Sequence, residues 1–183
     1  MLTSLWPFQF KDANVQATPP SIQKGEFEKG LYVSEENKTL LDQPATAIDL
    51  STLTGLVVRD WQHDVSIINT LTPNVIKLED NDPIFKLLQA KRADFYLSEF
   101  VNNENLQECE LRLCNVPLKG IKVKLYDTRH FVISKTSKNG RYYAKILISG
   151  MQKLRAQGRI RALYEQMGFI NSQVKDWIVI NSD

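Results

Sequence analysis

The sequence predicts an α/β fold with a mainly parallel sheet flanked by helices, and three observations predict it. Between about Ala45 and Phe100, short apolar runs alternate with helical spacing, giving the order β-α-β-α-β. That order implies crossover connections and therefore parallel strands. Near the end, Tyr143, Ile146, Leu147, Gly150, Met151 and Leu154 follow the 3, 4, 7, 8, 11 spacing of one buried helix face. The composition of the 183 residues, 43% hydrophobic and 24% charged, is that of an ordinary globular chain rather than a disordered or fibrous one.

The elements follow in order. Residues up to about Pro44 hold Pro7, Pro19, Pro20, Gly25, Gly30 and Pro44, a density that favours strands and loops over long helices. Leu56-Val57-Val58 follows the turn at Thr54-Gly55 and reads as a buried strand. Val65, Ile68 and Leu71 suit a helix that stops before Pro73. Asn74–Leu78 alternates as a second strand. Asn81 or Asp82 is expected to cap a helix with Pro83 in its first turn and Ile84, Leu87 and Leu88 on one face. Ala93–Leu97 makes a third strand. Leu106–Cys114, Ile121–Leu125 and Phe131–Ser134 are further strands, Gly158 ends the long helix, and a last helix stops at Gly168.

The formal net charge of +2 gives no field that would suggest a nucleic acid or an anionic membrane. No apolar run approaches the roughly 18 residues that cross a bilayer, and no signal peptide is visible in Met1–Phe10. Cys109 and Cys114 fall within one expected strand. Five residues of strand span about 16 Å, whereas a disulfide tolerates about 7 Å between Cα atoms. They are therefore expected as unbridged, core-like thiols, and with no His pair nearby no zinc site is expected. The basic run Lys153, Arg155, Arg159 and Arg161 reads as a solvated helix face; no nucleic-acid motif accompanies it. His63, Asp64 and Ser66 are sequence neighbours that do not face one another on a helix, and no catalytic elbow surrounds them. Trp6 and Phe8 are expected as packing groups.

Four stretches together resemble the bacterial extracellular solute-binding proteins of the family 3 type, the two-lobed receptors of amino-acid uptake. These are Asp49–Val58, Leu87–Asp94, Phe131–Lys135, and Leu154–Tyr164 followed by Gly168-Phe169 and Asp176-Trp177. The resemblance covers about Asp49 to Ile180 and implies a periplasmic-binding-protein-like lobe. It divides the chain into residues 1–44, a remnant of the first lobe, and residues 45–183, the second lobe with its returning hinge strand and terminal helices. By the same resemblance the protein is a non-enzymatic periplasmic receptor without cofactor, serving a membrane transporter or a sensor. If most of the first lobe is absent, a homodimer swapping the front segment supplies the opposite wall. The alternative is an interaction or sensor domain on the same fold that recognises a protein partner and has no solute pocket.

Ligands of such sheets settle beyond the carboxyl ends of strands, where helix N-termini point inward. One end follows Val58, where Asp60, Trp61 and Gln62 open a helix whose free N–H groups suit an anion and where the indole suits an apolar or cationic group. A plainer reading makes Asp60 or Asp64 a helix cap and Trp61 a packing residue. By resemblance, Asp94 is the carboxylate that binds an ammonium group, with Tyr96 and Ser98 on the same strand face; against this, an Asp before a strand also caps turns. The whole reading requires Asp94 and the Asp60 turn to share one crevice over a small polar or cationic solute.

Overall fold

A computed structural model of the chain describes residues 2–5, 7, 14–80 and 82–181. Trp6, Phe8 and Asn81 lie outside them. The chain forms two compact units, one of residues 1–27 and 125–170, the other of residues 28–124 and 171–183. These bounds differ from the expected division after residue 44, because residues 125–170 fold with the first residues of the chain rather than with the middle.

Among the described residues, unit 1 is a three-stranded antiparallel sheet carrying two helices. Strands β1 (Leu2–Leu5) and β2 (Val15–Ile22) flank β10 (Arg129–Ser134). The long helix α4 (Gly140–Ala156) packs on β2 and β10, and α5 (Arg159–Gln166) follows it. A Cβ on Gly140 would lie 2.0 Å from the Ser134 carbonyl oxygen, so only glycine lets α4 start this close to β10. The left-handed Gly158 (φ 70°) breaks α4 from α5, as its position in the sequence predicts. Arg155 ties the helices to the sheet, donating to Glu26 Oε1 at 3.0 Å and to the Ser21 carbonyl at 2.7 Å. The expected buried face of α4 is only partly so. Gly140, Ala144 and Met151 are buried, whereas Tyr143, Ile146 and Leu154 face solvent.

Unit 2 contains the predicted β-α-β-α-β run. Strand β4 (Thr54–Val58) pairs in parallel with β5 (Asn74–Leu78) and with β6 (Phe95–Glu99). Helices α2 (Gln62–Leu71) and α3 (Ile84–Gln89) connect them, and the one-turn helix α1 (Lys38–Leu41) precedes β4. The sheet is mixed beyond that parallel core. β3 (Phe27–Ser34) runs antiparallel to β6 and to β8 (Leu113–Pro117), while β11 (Ile178–Val179) lies parallel to β9 (Ile121–Leu125). Alternation along the strands separates two apolar layers. Leu31, Val57, Ile68, Phe95 and Leu97 fill one face; Tyr32, Leu56, Leu88, Tyr96 and Phe100 fill the other. Pro83, not Asp82, stands at the start of α3; the Asp82 carboxylate instead accepts from the Glu79 N–H at 2.8 Å.

The two cysteines contradict the expected single strand. Cys109 and Cys114 are bonded, with Cα atoms 4.2 Å apart. The stretch is a hairpin of β7 (Glu108–Glu110) and β8, in which Cys109 and Cys114 are direct register partners. Its two-residue turn is Leu111-Arg112, both left-handed at φ 46° and 69°. Such a turn normally uses Asn-Gly. Two side-chain-bearing residues in its place explain why the sequence carries no visible turn signal.

Candidate functional site

Two ends of the parallel core need to be kept apart. At the N-terminal end, Asp94 precedes β6. Its amide donates to the Thr54 carbonyl and its Oδ2 accepts from the Thr54 N–H, both at 2.8 Å. The carboxylate thus clamps the first residue of β4. At the C-terminal end, Val58 is followed by Asp60, Trp61 and Gln62, all exposed. From Thr54 to Val58 the strand spans about 13 Å at ~3.3 Å per residue. Asp94 and the Asp60 turn therefore lie at opposite ends of β4, and the shared crevice expected from the sequence is not formed. The expected third strand, Ala93–Leu97, lies two residues early; β6 runs from Phe95 to Glu99, so Asp94 stands just before its N-terminal end and the carboxylate at its C-terminal end is Glu99.

The C-terminal end is built by three elements. Trp61 stands at the start of α2 with no side chain capping the helix, which leaves the positive end of a ten-residue helix facing the strand ends. Asp64 in the first turn is buried and accepts from Lys29 Nζ at 2.6 Å. The same ammonium lies 5.3 Å from the centre of the Trp61 ring, which remains 47% exposed. Lys29 sits in β3 directly opposite Glu99 of β6, and directly opposed side chains project on one face of a sheet. Lys29, Trp61, Asp64 and Glu99 thus converge on one edge. The sequence reading missed Lys29 and Glu99. Lys29 lies in a stretch read as irregular, and Glu99 is exposed only by the correct end of β6.

The opposite face of β6 holds a second polar group. Tyr96 and Ser98 do share a face, as alternation predicts, and both hydroxyls donate to one carboxylate, that of Glu108 on β7; the Ser98 bond is 2.7 Å. Burial pushes the Glu108 carboxyl above the ordinary carboxylate range, against the lowering effect of the two hydroxyl donors. Burial, and then the Glu108 charge, also push the Tyr32 and Tyr96 phenols far up. Tyr96 is therefore a buried, neutral donor that holds Glu108. The tilted rings of Tyr32 and Tyr96, 5.9 Å apart, wall the group.

No protein-family model matches the sequence, and no curated protein sequence matches it. Solved structures do match. The GluR0 ligand-binding core in complex with L-glutamate aligns over 90% of this chain and 68% of its own, at 19% identity and a TM-score of 0.52. An arginine third transport system periplasmic binding protein from Legionella pneumophila aligns over 84% and 65%, at 14% identity and 0.54. The ancestral amino-acid-binding protein AncCDT-1, a precursor of cyclohexadienyl dehydratase, aligns over 90% and 66%, at 14% identity and 0.50. The fold is periplasmic-binding-protein-like. At these identities the likeness is one of fold alone, and the chain spans about two thirds of the length of the structures it matches.

Proposed function

We propose that the chain binds a small polar solute of the amino-acid type without transforming it, as the receptor part of a periplasmic uptake or sensing system. The observation that carries this is the pairing, at the C-terminal edge of the parallel core, of an uncapped helix start with the carboxylate of Glu99. The α2 N-terminus suits a solute carboxylate, and Glu99 suits its ammonium. Trp61, held over Lys29, offers a flat apolar wall beside them, and Gln62 a neutral donor and acceptor. Asp60 opposes a second negative group, which favours solutes with one carboxylate or a net positive charge. The names of the matched structures, which include an ancestral amino-acid-binding protein and a transport-system binding protein, support the same class. A transporter or a sensor partner would read the bound state.

A second reading is an interaction domain that keeps the fold without a solute pocket. One observation favours it: the hollow bounded by Val58, Trp61, Asp64 and Leu97 measures only about 10 Å³, too small for more than a single water. Thermal-shift screening against amino acids and polyamines separates the two. A solute at a hundred times its Kd adds about 2.7 kcal/mol of stability. The receptor reading expects a hit that is lost in Glu99→Gln and weakened in Trp61→Ala. It also expects Asp94→Asn to retain the hit despite a lower melting temperature. Silence across the panel favours the interaction reading, and a hit abolished by Asp94→Asn alone refutes the assignment of the site to the C-terminal edge.

A further inference from the structure

The net charge of +2 conceals a segregation by unit. Unit 1 carries eleven Lys and Arg against four Asp and Glu; unit 2 carries twelve against seventeen. The basic excess concentrates on α4, where Arg141, Lys145 and Lys153 are exposed and no residue is acidic, and on Arg159 at the start of α5; Arg155 is turned inward to Glu26 and Arg161 is paired with Glu165. These helices also expose apolar side chains. On α4, Tyr142 is 64% exposed and Ile146 52%, with Tyr143 and Leu154 beside them; Leu163 on α5 and Met167 just after it are open to solvent. Tyr142, Ile146 and Gly150 succeed one another at i, i+4 and i+8, so they line one stripe, and Tyr143 and Leu154 flank it. Gly150 has nothing within 4 Å of where a Cβ would stand, so the middle of the stripe is open.

We propose that this outer face of α4 and α5 docks on an anionic lipid surface. Interfacial helices combine basic residues with an apolar stripe that enters the headgroup boundary. Tyrosine rings suit that boundary because one end is apolar and the other wet, while Lys145 and Lys153 have stems long enough to lie along the stripe and charges that reach the phosphates. The opposite charge of unit 2 disfavours contact of that unit with the same surface. A second copy is a poor occupant, since α4 against α4 opposes basic residues with no acid to answer them. A nucleic acid would engage the basic residues and the tyrosine faces but leaves Ile146, Leu154, Leu163 and Met167 without a role. Attachment is peripheral: among the described residues no helix is long and apolar enough to cross a membrane.

Co-sedimentation of the full chain with vesicles tests this. Phosphatidylglycerol mixed into phosphatidylcholine is expected to pellet the protein, and pure phosphatidylcholine to leave it in solution. Binding should fall as salt shortens the screening length from about 10 Å at 0.1 M to about 3 Å at 1 M. Each basic residue near such a surface is worth about fivefold in partitioning, so Lys145→Glu with Lys153→Glu should weaken it at least ~25-fold. Ile146→Ser should weaken it further, and Lys119→Glu, on unit 2, should not. All four positions are exposed, and circular dichroism checks that the variants fold. The proposal is overturned if anionic vesicles fail to pellet the protein at low salt, or if neutral vesicles pellet it equally. It is also overturned if the α4 variants pellet like the parent, if an oligothymidylate displaces the vesicles and binds more tightly, or if the face proves to mediate self-association without lipid.

Discussion

The ion pair of Lys29 and Asp64 is the most exacting test of how the candidate site is built. Its atoms are 2.6 Å apart and the two side chains are 8% and 5% exposed. Replacing Lys29 by Met leaves the Asp64 carboxylate buried without its cation, an arrangement that costs about 3–5 kcal/mol. Asp64→Leu takes the hydrogen-bonded carboxylate from the buried ammonium and should cost less, because Lys29 keeps the Trp61 ring and faces Glu99 across the sheet. Replacing both removes the two charges together and fills the space with apolar atoms, so the double variant should return to within about 1 kcal/mol of the parent. The expected coupling is therefore several kcal/mol, far above what an exposed pair gives. Urea unfolding of the four proteins measures it, followed in a Trp6→Phe background by Trp61 and Trp177, which both belong to unit 2. If each single variant costs under about 1 kcal/mol, or the costs simply add in the double variant, the pair is not a buried anchor and the account of Trp61 resting on Lys29 fails.

Two further outcomes are expected. The Cys109–Cys114 bridge closes a six-residue loop, which the chain-entropy relation values at about 2 kcal/mol. Cys109→Ser with Cys114→Ser should cost about that much and raise amide exchange in β7. In that reduced background, Leu111→Asn with Arg112→Gly should recover about 1 kcal/mol by relieving two left-handed residues; no recovery argues against the turn geometry. The second concerns pH. The Glu108 carboxyl is raised in the folded state, so between its unfolded and folded values the native form binds the extra proton, and stability falls as pH rises through that window. Glu108→Gln should abolish this slope. Tyr32, Tyr96 and Tyr164 are raised as well, so stability should fall again above about pH 10, where unfolded tyrosines ionise. Chemical denaturation at a series of pH values reads both steps.

The parallel core was legible because its signals are local. Leu56–Val58 and Asn74–Leu78 are apolar runs bounded by turns, and Pro73 fixes where α2 must stop. The hairpin was not legible, because Leu111-Arg112 carries none of the residues that normally announce a two-residue turn, and alternation continued through it reads as one strand. The α4 face was half legible. Its apolar positions outnumber what one buried stripe needs, and periodicity does not say which of two adjacent stripes meets the sheet. Glu99 escaped notice because the expected strand stops at Leu97, two residues short of the end of β6; the resemblance pointed to Asp94, which stands at the N-terminal end, where the rule that ligands meet strand C-termini does not apply. The charge segregation was invisible for a different reason. It depends on which distant segments fold together, and no window along the chain contains residues 1–27 and 125–170 at once.

At the end of β6, the proposed solute contact, the groups around the exposed Glu99 are ordered on both faces of the strand. On one face Tyr96 and Ser98 are bound to Glu108, which the disulfide-closed hairpin carries in β7. On the other, Glu99 lies opposite Lys29, which is itself fixed between Asp64 and the Trp61 ring. A carboxylate at the end of a free strand would lose side-chain entropy on meeting an ammonium, about 0.5–1.5 kcal/mol for each group immobilised. Here folding has already ordered its neighbours. The arrangement also sets a direction of dependence. Opening the hairpin should loosen Glu108, then Tyr96 and Ser98, before it disturbs Glu99, whereas breaking the Lys29 pair acts on the Glu99 face at once. Solute affinity is therefore expected to be more sensitive to Lys29 than to the disulfide, even though both lie outside the first contacts with the solute.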